Sequence, residues 1–382
     1  LFLMEFFKKK RMIFTGGFMK EKIKSVFHLF FVTAGIMFLV FAGMYHSSCR
    51  ITPEGITLVD DGEHSPKITD FSCNGKEIEV VFTKEVFIED TFAVEADEKL
   101  SSIENFLNCD EKIQVHQVQT DRAKTVKFLI DGETKIGKYY ELYGCVKDKK
   151  GNTLSFTIPF LGENNNFPVI AISEVNESYS KKDCLYEYVE LYAATSGNLF
   201  GLEIISASDG KVFSLPAVDV HKGEYILVHL RSPENEEQAV SELSDDLNLS
   251  KAKGSVSNAR DIWIENYDSV LNSTADIVIL NNKAKNQFID CVMYCKRSYP
   301  EENSVWKNDN LNVAAQKCID LNLWQGDATP SSAVFSEQRE SISYISRKNL
   351  SNFSSSVKIS NSRSVWEGTT KSKMTPGKPN TW

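Results

Sequence analysis

Alternation between apolar and polar positions dominates the chain beyond residue 64 and predicts short β-strands. After Asn74-Gly75, the apolar residues Ile78, Val80 and Phe82 occupy every second position. A period of two that follows an Asn-Gly turn is typical of a β-hairpin. Later apolar runs are equally short and end at Gly, Pro, Asn or Asp, so we predict an all-β fold.

The same alternation assigns faces to a strand in the second half of the chain. Tyr188, Glu190 and Tyr192 share one predicted face, and Val189 and Leu191 share the other. The Val189 and Leu191 face is the core candidate. The tyrosine face, which Tyr186 extends, is a candidate binding surface.

A polar stretch at Asn164 to Asn166, followed by Pro168, predicts a boundary between two modules. We place the first module at residues 64–163 and the second at residues 166–380. The part of the chain that follows Cys49, about 330 residues, is too long for one ordinary hydrophobic core and fits two domains.

Two insertions, at residues 233–265 and 300–330, interrupt the strand pattern of the second module. Pro233 and the acidic residues after it predict a short helix in the first insertion. Apolar residues at helical spacing between Trp306 and Trp324 predict an amphipathic helix in the second. Further on, the apolar stretches at 342–345 and 365–366 predict one or two edge strands.

The N-terminal region predicts export. Residues 26–44 carry no charged side chain, follow three lysines and precede Ser47-Ser48-Cys49. This pattern resembles a bacterial lipoprotein signal at residues 19–49, which implies a lipid on Cys49, although His46 departs from the strict pattern. Residues 1–18 are then a possible upstream extension and residues 50–63 a linker. An uncleaved anchor and plain secretion remain alternatives.

Charge and cysteine content narrow the classes of partner. The net charge of -9 argues against nucleic-acid binding, which needs clustered Lys and Arg. Seven cysteines follow Cys49, so they cannot all pair within the chain. Cys73 and Cys145 form the favoured disulfide because both lie in strand-like runs of one module. Cys291 and Cys295 are interpreted as buried thiols and not as a zinc site.

No catalytic motif accompanies this pattern. The chain lacks H-E-x-x-H, G-x-S-x-G, phosphate-loop and dinucleotide-binding motifs. Glu187 and Glu190 stand an odd number of positions apart on one strand, so they cannot act as a glycosidase pair. We therefore predict no catalytic residue, no metal and no cofactor.

Longer motifs resemble two families of exported bacterial β-sandwich. NGKEIEVVFTKEV at 74–86, KYYEL at 138–142 and VKDKKGNTL at 146–154 resemble bacterial Ig-like domains, which implies that Asp148, Gly151 and Asn152 form a turn. The second module resembles the lamin-tail domain, and the whole chain resembles lamin-tail lipoproteins of spirochaete type. Its matching motifs are IAISEV at 170–175, YVELY at 188–192, GLEI at 201–204, KGEYILV at 222–228 and MTPGKPN at 374–380.

The resemblance implies two tandem Ig-like antiparallel β-sandwiches with short helices in the insertions. The functional hypothesis is a non-catalytic, membrane-anchored lipoprotein of the cell envelope, periplasmic or surface-exposed. It would act as a spacer and a binding scaffold for protein or glycan partners, with Tyr186, Tyr188 and Tyr192 as a candidate surface. The alternatives are a hydrolase with a scattered site and a structural part of an envelope assembly.

Overall fold

The computed structural model describes residues 65–96, 112–118, 123–178, 187–233, 237–336, 343–348, 350, 353, 361–370 and 374–380. The predicted extension, signal, lipidated Cys49 and linker lie outside these residues, as do Cys109, Cys184 and Tyr186. Within the residues that are described, no helix has the length and apolar character needed to cross a bilayer.

The first module consists of strands and confirms the predicted hairpin. The first two strands pair antiparallel through Cys73 with Ile78, and Gly75 adopts the positive φ of 61° that the Asn-Gly turn requires. Its strands are β1 (Ile68–Asn74), β2 (Glu77–Glu95), β3 (Ile113–Gln117), β4 (Ala123–Ile130), β5 (Tyr139–Asp148) and β6 (Thr153–Leu161).

A single sheet in the order β3-β4-β2-β5-β6 folds over itself because β2 is long and irregular. The first part of β2 pairs with β1 and β4, its second part pairs with β5, and its register with β4 shifts between Val81 and Val86. Phe82 of β2 and Phe128 of β4 therefore both contact Phe156 of β6 in one apolar core.

The β5–β6 turn is held by Asp148, which is 4% exposed. Its carboxylate accepts hydrogen bonds from the backbone N–H groups of Lys150 and Asn152 and from the Asn152 side chain. Burial acts to raise the pKa of Asp148, but these bonds and one from Lys84 outweigh it and lower the pKa to about 2. Asp148 and Asn152 are therefore turn formers, as predicted.

The second module contains two larger sheets and a two-stranded pair. One sheet has the order β11-β10-β15-β16-β17, the other has the order β14-β13-β8-β7-β18-β19, and β9 pairs with β12. Its strands are β7 (Ile170–Asn176), β8 (Tyr188–Ala193), β9 (Gly197–Asn198), β10 (Leu202–Ser206), β11 (Lys211–Ser214), β12 (Asp219–Val220), β13 (Tyr225–His229), β14 (Arg260–Trp263), β15 (Ala275–Asn282), β16 (Gln287–Lys296), β17 (Val334–Ser336), β18 (Ser343–Arg347) and β19 (Trp366–Thr370).

The all-β prediction is confirmed, but the sheets of the second module are not purely antiparallel. β13 pairs in parallel with β14, and β16 pairs in parallel with β17. Parallel neighbours need a long crossover, which the two insertions provide. The predicted edge strands correspond to β18 and β19, although only β19 lies at the sheet edge, since β18 pairs with both β7 and β19.

The core of the second module lies where the two sheets pack, and the predicted face of β8 is confirmed. Val189 and Leu191 belong to this core. A helix, α2 (Asp309–Asp320), covers the five-stranded sheet through Leu311, Ala315 and Cys318, as its apolar spacing predicted. It follows a single turn of helix, α1 (Tyr299–Glu302), and two short 3₁₀ turns occupy Pro330–Ser332 and Arg363–Val365.

The helix predicted after Pro233 is wrong for the part of that segment that the structure describes. Residues 237–243 form a turn and an irregular loop. The Glu242 carboxylate faces inward, where it accepts hydrogen bonds from the backbone N–H groups of Ser250 and Asp261. These long-range bonds replace the local hydrogen bonds of a helix.

Candidate binding surface

A buried ion pair ties the two sheets of the second module together near β18. Asp290 on β16 lies 2.5 Å from the Arg347 guanidinium on β18 and accepts a 2.7 Å hydrogen bond from the backbone N–H of Ile172 on β7. Arg347 also donates to the Ile172 carbonyl. The second Asp290 oxygen accepts from Asn361 and from the backbone N–H of Cys291. Both carboxylate oxygens of Asp290 thus have partners within the protein, and Arg347 has partners at Nε and at one terminal nitrogen.

Arg347 also supports the edge strand from behind. Its guanidinium lies 4.5 Å from the ring centroid of Trp366, the first residue of β19, and Trp366 is 2% exposed. The clamp between Asp290 and Arg347 therefore fixes the position of β19 relative to both sheets.

A groove of about 490 Å³ lies between β17 and β19, and we call it the basic groove. It contains three cationic side chains and one carboxylate, that of Glu367, which pairs with Lys348 at 2.7 Å. Its lining residues are Arg297, Val334, Phe335, Lys348, Arg363, Ser364, Trp366, Glu367 and Gly368. The local excess of positive charge contrasts with the chain's net charge of -9.

The aromatic rings of the basic groove are covered by guanidinium groups. Arg363 lies 3.7 Å and Arg297 5.6 Å from the ring centroid of Phe335. Such cation–π contacts orient the guanidinium planes and leave their N–H edges directed sideways. The Phe335 ring is therefore flanked by cations, and the Arg363 guanidinium also donates to the Ser331 carbonyl.

The outer edge of β19 is partly occupied, because the Trp366 N–H donates to the Arg363 carbonyl and the backbone of Phe335 and Ser336 lies against Gly368. Lys348 N–H donates to the Val365 carbonyl, and the antiparallel register places Glu367 opposite Ser346. Hydrogen-bonded pairs alternate along an antiparallel ladder, so Glu367 and Thr369 bond to β18. The backbone groups of Trp366, Gly368 and Thr370 consequently face away from β18. Trp366 and Gly368 both line the basic groove.

The predicted tyrosine surface is largely covered, which corrects that prediction. Tyr188 is 4% exposed, and Tyr192 packs at a tilt against Tyr225 with ring centroids 5.0 Å apart. Met374 of the C-terminal segment 374–380 packs on the same cluster. Tyr186 lies outside the described residues. The ring of Tyr188 is therefore not available to a ligand.

Two carboxyl groups lie beneath this C-terminal segment. Glu174 on β7 and Glu190 on β8 are direct cross-strand partners, and both are 0% exposed. Glu174 accepts hydrogen bonds from the Tyr188 hydroxyl and from Ser346, and Glu190 accepts one from the backbone N–H of Gly377 at 2.6 Å. The pair therefore fastens the C-terminal segment onto the sheet.

The surroundings of this pair favour the protonated form. Burial raises the pKa of Glu174. Burial and, secondarily, the charge of Glu174 raise the pKa of Glu190 well above its usual range. Two like charges so close cannot both ionise without mutual repulsion. Both shifts favour the protonated form, and the hydrogen bonds of the pair give it a role in packing.

A histidine and an acid also meet in the second module. His229 Nε2 lies 2.7 Å from Asp261 Oδ1, both side chains are 1% exposed, and the imidazole stacks on Trp263 with ring centroids 3.7 Å apart. Asp261 also accepts from the backbone N–H of Val256. In the described part of the chain, no serine or cysteine side chain hydrogen-bonds to His229. The contact anchors the 250–260 loop to β13.

The structure contains no disulfide between Cys73 and Cys145, which corrects the predicted pairing. Both are free thiols. Cys73 Sγ contacts the Pro159 carbonyl, and Cys145 Sγ accepts a hydrogen bond from Ser155. Pro159 and Ser155 are four residues apart on β6, roughly 13 Å, so the two thiols do not face one another.

The cysteines of the second module are buried, as interpreted from the sequence. Cys291, Cys295 and Cys318 are all free and 0% exposed. A hydrogen bond with Cys318, followed by burial, raises the pKa of Cys291 well above its usual range. Within the described ranges, no group of three or more His, Cys, Asp or Glu side chains is placed to hold a metal ion.

Comparison with known proteins identifies a family for the second module. A family model described as TP_1001_2nd, protein second domain, matches residues 168–368. This range contains every lining residue of the basic groove. The description names neither a lamin-tail nor an Ig-like domain.

A protein of the spirochaete Treponema pallidum (strain Nichols), described as "Uncharacterized protein", is 24% identical over 195 residues. The match covers 50% of this chain and 48% of that protein, so the chain spans about half the length of this curated relative. The crystal structure of a DUF4876 family protein from Bacteroides thetaiotaomicron VPI-5482 covers 74% of this chain and 88% of its own, with 11% identity and a TM-score of 0.26.

Proposed function

The chain belongs to the family described as TP_1001_2nd, protein second domain, and we propose that it is a non-catalytic binding scaffold of the cell envelope. In this proposal a lipid on Cys49 tethers the chain to a membrane. The first module then acts as a spacer, and the second module presents a surface to a protein or glycan partner. The observation that carries the proposal is the basic groove, an exposed concentration of cations on an acidic protein.

Several buried carboxylates of the second module support a scaffold role because they fix loops. Glu187 accepts hydrogen bonds from Ser269 and from the backbone N–H of Val270. Asp276 accepts from Ser206 and from both the backbone and the hydroxyl of Ser208. Groups that hold loops in one conformation reduce the entropy that a binding surface loses when a partner docks.

The resemblance of the second module to lamin-tail domains remains part of the proposal. Two of the motifs that carry it, YVELY at 188–192 and MTPGKPN at 374–380, pack on one another through Glu190 and Gly377. For the first module we propose a bacterial Ig-like sandwich, on the Asp148 turn and the β1–β2 hairpin. Domains of both families are β-sandwiches that occur in exported proteins, and this agrees with the proposed role as a spacer and scaffold.

Fractionation and crosslinking in native envelopes test this proposal. The wild-type chain and a Cys49→Ala variant are expressed with the same C-terminal tag, and each is followed by detergent phase partition and intact-mass measurement. We expect the wild type to carry a lipid mass and to partition with membranes, and we expect Cys49→Ala to lose both. Crosslinked partners are then compared between the two.

The tethered form is expected to recover at least one crosslinked envelope component that the untethered form does not. A wild-type chain without lipid, distributed between fractions in the same way as Cys49→Ala, would contradict the tether. Recovery of no component by a correctly tethered chain would contradict the scaffold role.

A further inference from the structure

Another cavity, of about 400 Å³, opens near the turn between β15 and β16, and we call it the apolar pocket. It lies where the start of β7 in one sheet meets β10, β15 and β16 of the other, and the residues after α2 close one side. Small-molecule pockets typically measure about 300 to 1,000 Å³ and combine apolar walls with a few polar groups. The walls of this pocket are mostly aromatic and aliphatic, and they include Phe167, Ile170, Leu202, Phe288, Ile289 and Leu323.

The apolar pocket reaches the hydrophobic core of the second module. Ile170, Leu202 and Leu323 are buried members of that core. Phe167 and Phe288 are half-buried and pack against it. A ligand with an apolar body would remove the exposed parts of these two rings from water, and burial of apolar surface is favourable. The pocket therefore favours a hydrophobic ligand.

Two lysine ammonium groups lie beside the apolar pocket. Lys285 lines it, and its Nζ lies 5.3 Å from the ring centroid of Phe167. Lys317 Nζ lies 3.8 Å from the ring centroid of Phe288, another wall residue. Both lysines are exposed, and neither forms an ion pair within the described part of the chain. No Asp or Glu is among the described lining residues, so the opening attracts a negative charge.

Few hydrogen-bonding side chains line the pocket, and this disfavours ligands with many polar groups. The polar lining residues are Asn282, Lys285 and Gln287, and the Asn282 side-chain oxygen already accepts from the Lys285 backbone N–H. A glycan would lose water from hydroxyl groups that find no partner there. The described lining contains no arginine, the residue whose planar fork matches a phosphate. One carboxylate on an alkyl chain suits these walls better.

We propose that the apolar pocket binds a free fatty acid, with its alkyl chain against Ile170, Leu202 and Leu323 and its carboxylate near Lys285 and Lys317. A methylene group occupies about as much space as a water molecule, roughly 30 Å³. The pocket volume therefore holds one alkyl chain of roughly a dozen carbon atoms and not the two chains of a phospholipid. This inference goes beyond the scaffold role and does not depend on it.

Photoreactive probes test the class of ligand without any change in the protein. The tagged full-length chain in native envelopes is irradiated with laurate that carries a diazirine in its chain and a terminal alkyne, and labelled peptides are identified by mass spectrometry. We expect labels on the pocket segments 167–170, 287–289 and 321–323. Exposed ion pairs contribute modestly, so half-maximal labelling should need about fivefold less of this probe than of the matching alcohol, whose head group is uncharged. Equal labelling by acid and alcohol, or labels only outside the pocket, would overturn the proposal.

A charge placed in the pocket tests where the chain of the ligand lies. Leu321 lines the pocket and is 39% exposed, so Leu321→Glu is compatible with folding. We expect the concentration for half-maximal labelling to rise about tenfold or more, because a carboxylate would stand against the alkyl chain and repel the ligand's own carboxylate. Val313→Glu is the matched control on α2, since Val313 is 69% exposed and lies outside the lining, and it should label like the wild type.

Removal of the two lysine charges tests the head group separately. Lys285→Gln combined with Lys317→Gln is expected to weaken labelling by the acid about fivefold and to leave labelling by the alcohol unchanged. Equal effects on both probes would show that the lysines act on the structure of the pocket and not on a carboxylate. Urea denaturation followed by tryptophan fluorescence verifies that each variant is folded. The comparison of acid with alcohol in the wild type does not depend on any variant.

Other occupants of the pocket give distinct outcomes. Stronger labelling by a photoreactive phosphatidylglycerol than by the laurate probe would assign the pocket to a bilayer phospholipid and reject the fatty acid. Labelling in the Cys49→Ala variant but not in the wild type would mean that the lipid of the chain itself fills the pocket, and it would also reject the proposal. Equal pocket labelling of both forms is the expected result. That result would support the fatty acid even if the tether or the scaffold role failed its own test.

Discussion

The two modules bury different chemistry although both are built from strands. Among the described residues of the first module, Asp148 is the single buried charged side chain, and the core is apolar. The second module buries Glu174, Glu190, Asp276 and Asp290, among others, each hydrogen-bonded to strands or loops. In the first module, the alternation of apolar and polar residues along each strand is enough to explain which side chains are buried. In the second module, the buried carboxyl groups depend on contacts between residues far apart in sequence.

The difference predicts how the modules respond to substitution and to pH, and the tryptophans allow them to be observed separately. All five tryptophans lie in the second half of the chain, at positions 263, 306, 324, 366 and 382. Tryptophan fluorescence during urea denaturation therefore reports on the second module. Hydrogen exchange of strand amides reports on the first.

The largest effect is expected for Asp290→Asn, which removes the charge that faces Arg347. Breaking a buried pair from one side leaves the other charge uncompensated and costs about 3 to 5 kcal/mol. We expect this loss in the fluorescence-detected free energy of unfolding of the full-length chain. Asp209→Asn, the same change at an exposed position, is the control and should lie close to wild type.

A double variant separates the loss of a charge from the loss of a link between sheets. Asp290→Asn combined with Arg347→Met removes both charges but keeps an amide oxygen that can accept from the backbone N–H of Ile172, and removal of both charges of a buried pair is often neutral. We expect it to recover most of the stability that Asp290→Asn loses. A single variant within about 1 kcal/mol of wild type, smaller than a typical buried pair, would show that the second module does not depend on this clamp.

The next effect is a dependence of stability on pH that has opposite signs in the two modules. Burial raises the pKa of Glu177 in the second module to about 8. An acid with a raised pKa in the folded state favours folding at low pH, and this contribution is lost as the pH rises from the ordinary glutamate range through about 8. The lowered pKa of Asp148 stabilises the first module above the ordinary aspartate range, and this is lost as the pH falls towards about 2.

Denaturation at several pH values tests this opposition. The urea midpoint from fluorescence is expected to fall between about pH 5 and about pH 9, a range that brackets the shifted value of Glu177. Glu177→Gln should flatten this dependence, whereas Glu301→Gln, at an exposed position of the same module, should leave it unchanged. A midpoint that rises with pH in the wild type would contradict burial of protonated acids in the second module.

A smaller effect is expected from truncation of the apolar core of the first module. Ile158 is 1% exposed, and Ile158→Val removes one buried methyl group, which costs about 1 kcal/mol. Exchange of amides in β2, β5 and β6 should accelerate accordingly. The fluorescence midpoint should not move, and an equal loss in both readouts would show that the modules unfold as one unit.

The smallest effect is expected for Lys127→Gln on the surface of the first module. Lys127 pairs with Glu77 at 2.8 Å and with Glu79 at 3.4 Å, but all three side chains are exposed. Exposed ion pairs contribute little because water and salt screen them. Amide exchange should match that of the wild type, and a clear acceleration would mean that surface charge matters more in this module than its apolar core suggests.

The sequence pattern predicted the local elements well and the long-range contacts poorly. The Asn74-Gly75 hairpin, the Val189 and Leu191 face and the helix 309–320 all follow from spacing within one element. The covering of the tyrosine face could not be predicted from such spacing, because Gly377 of the covering segment bonds to Glu190 across 187 residues. The basic groove was missed for the same reason, since its cations come from three separate segments.

The missing helix and the missing disulfide illustrate the same limit. The acidic residues after Pro233 suit a helix locally, but Glu242 bonds to Ser250 and Asp261 instead. Cys73 and Cys145 both lie in strands, as predicted, yet the fold of β2 keeps them apart. One signal for the groove was available, namely Arg363, Trp366 and Glu367 at the start of the last predicted strand.

The central claim is that the second module binds a partner through the basic groove while tethered to the envelope. A photoreactive amino acid placed at Lys348 in the full-length chain, with Lys251 as the matched position, tests it most directly in native envelopes. We predict a specific adduct with an envelope component at position 348 and none at position 251. Equal adducts at both positions, or none at position 348 in a chain that carries its lipid, would contradict the claim.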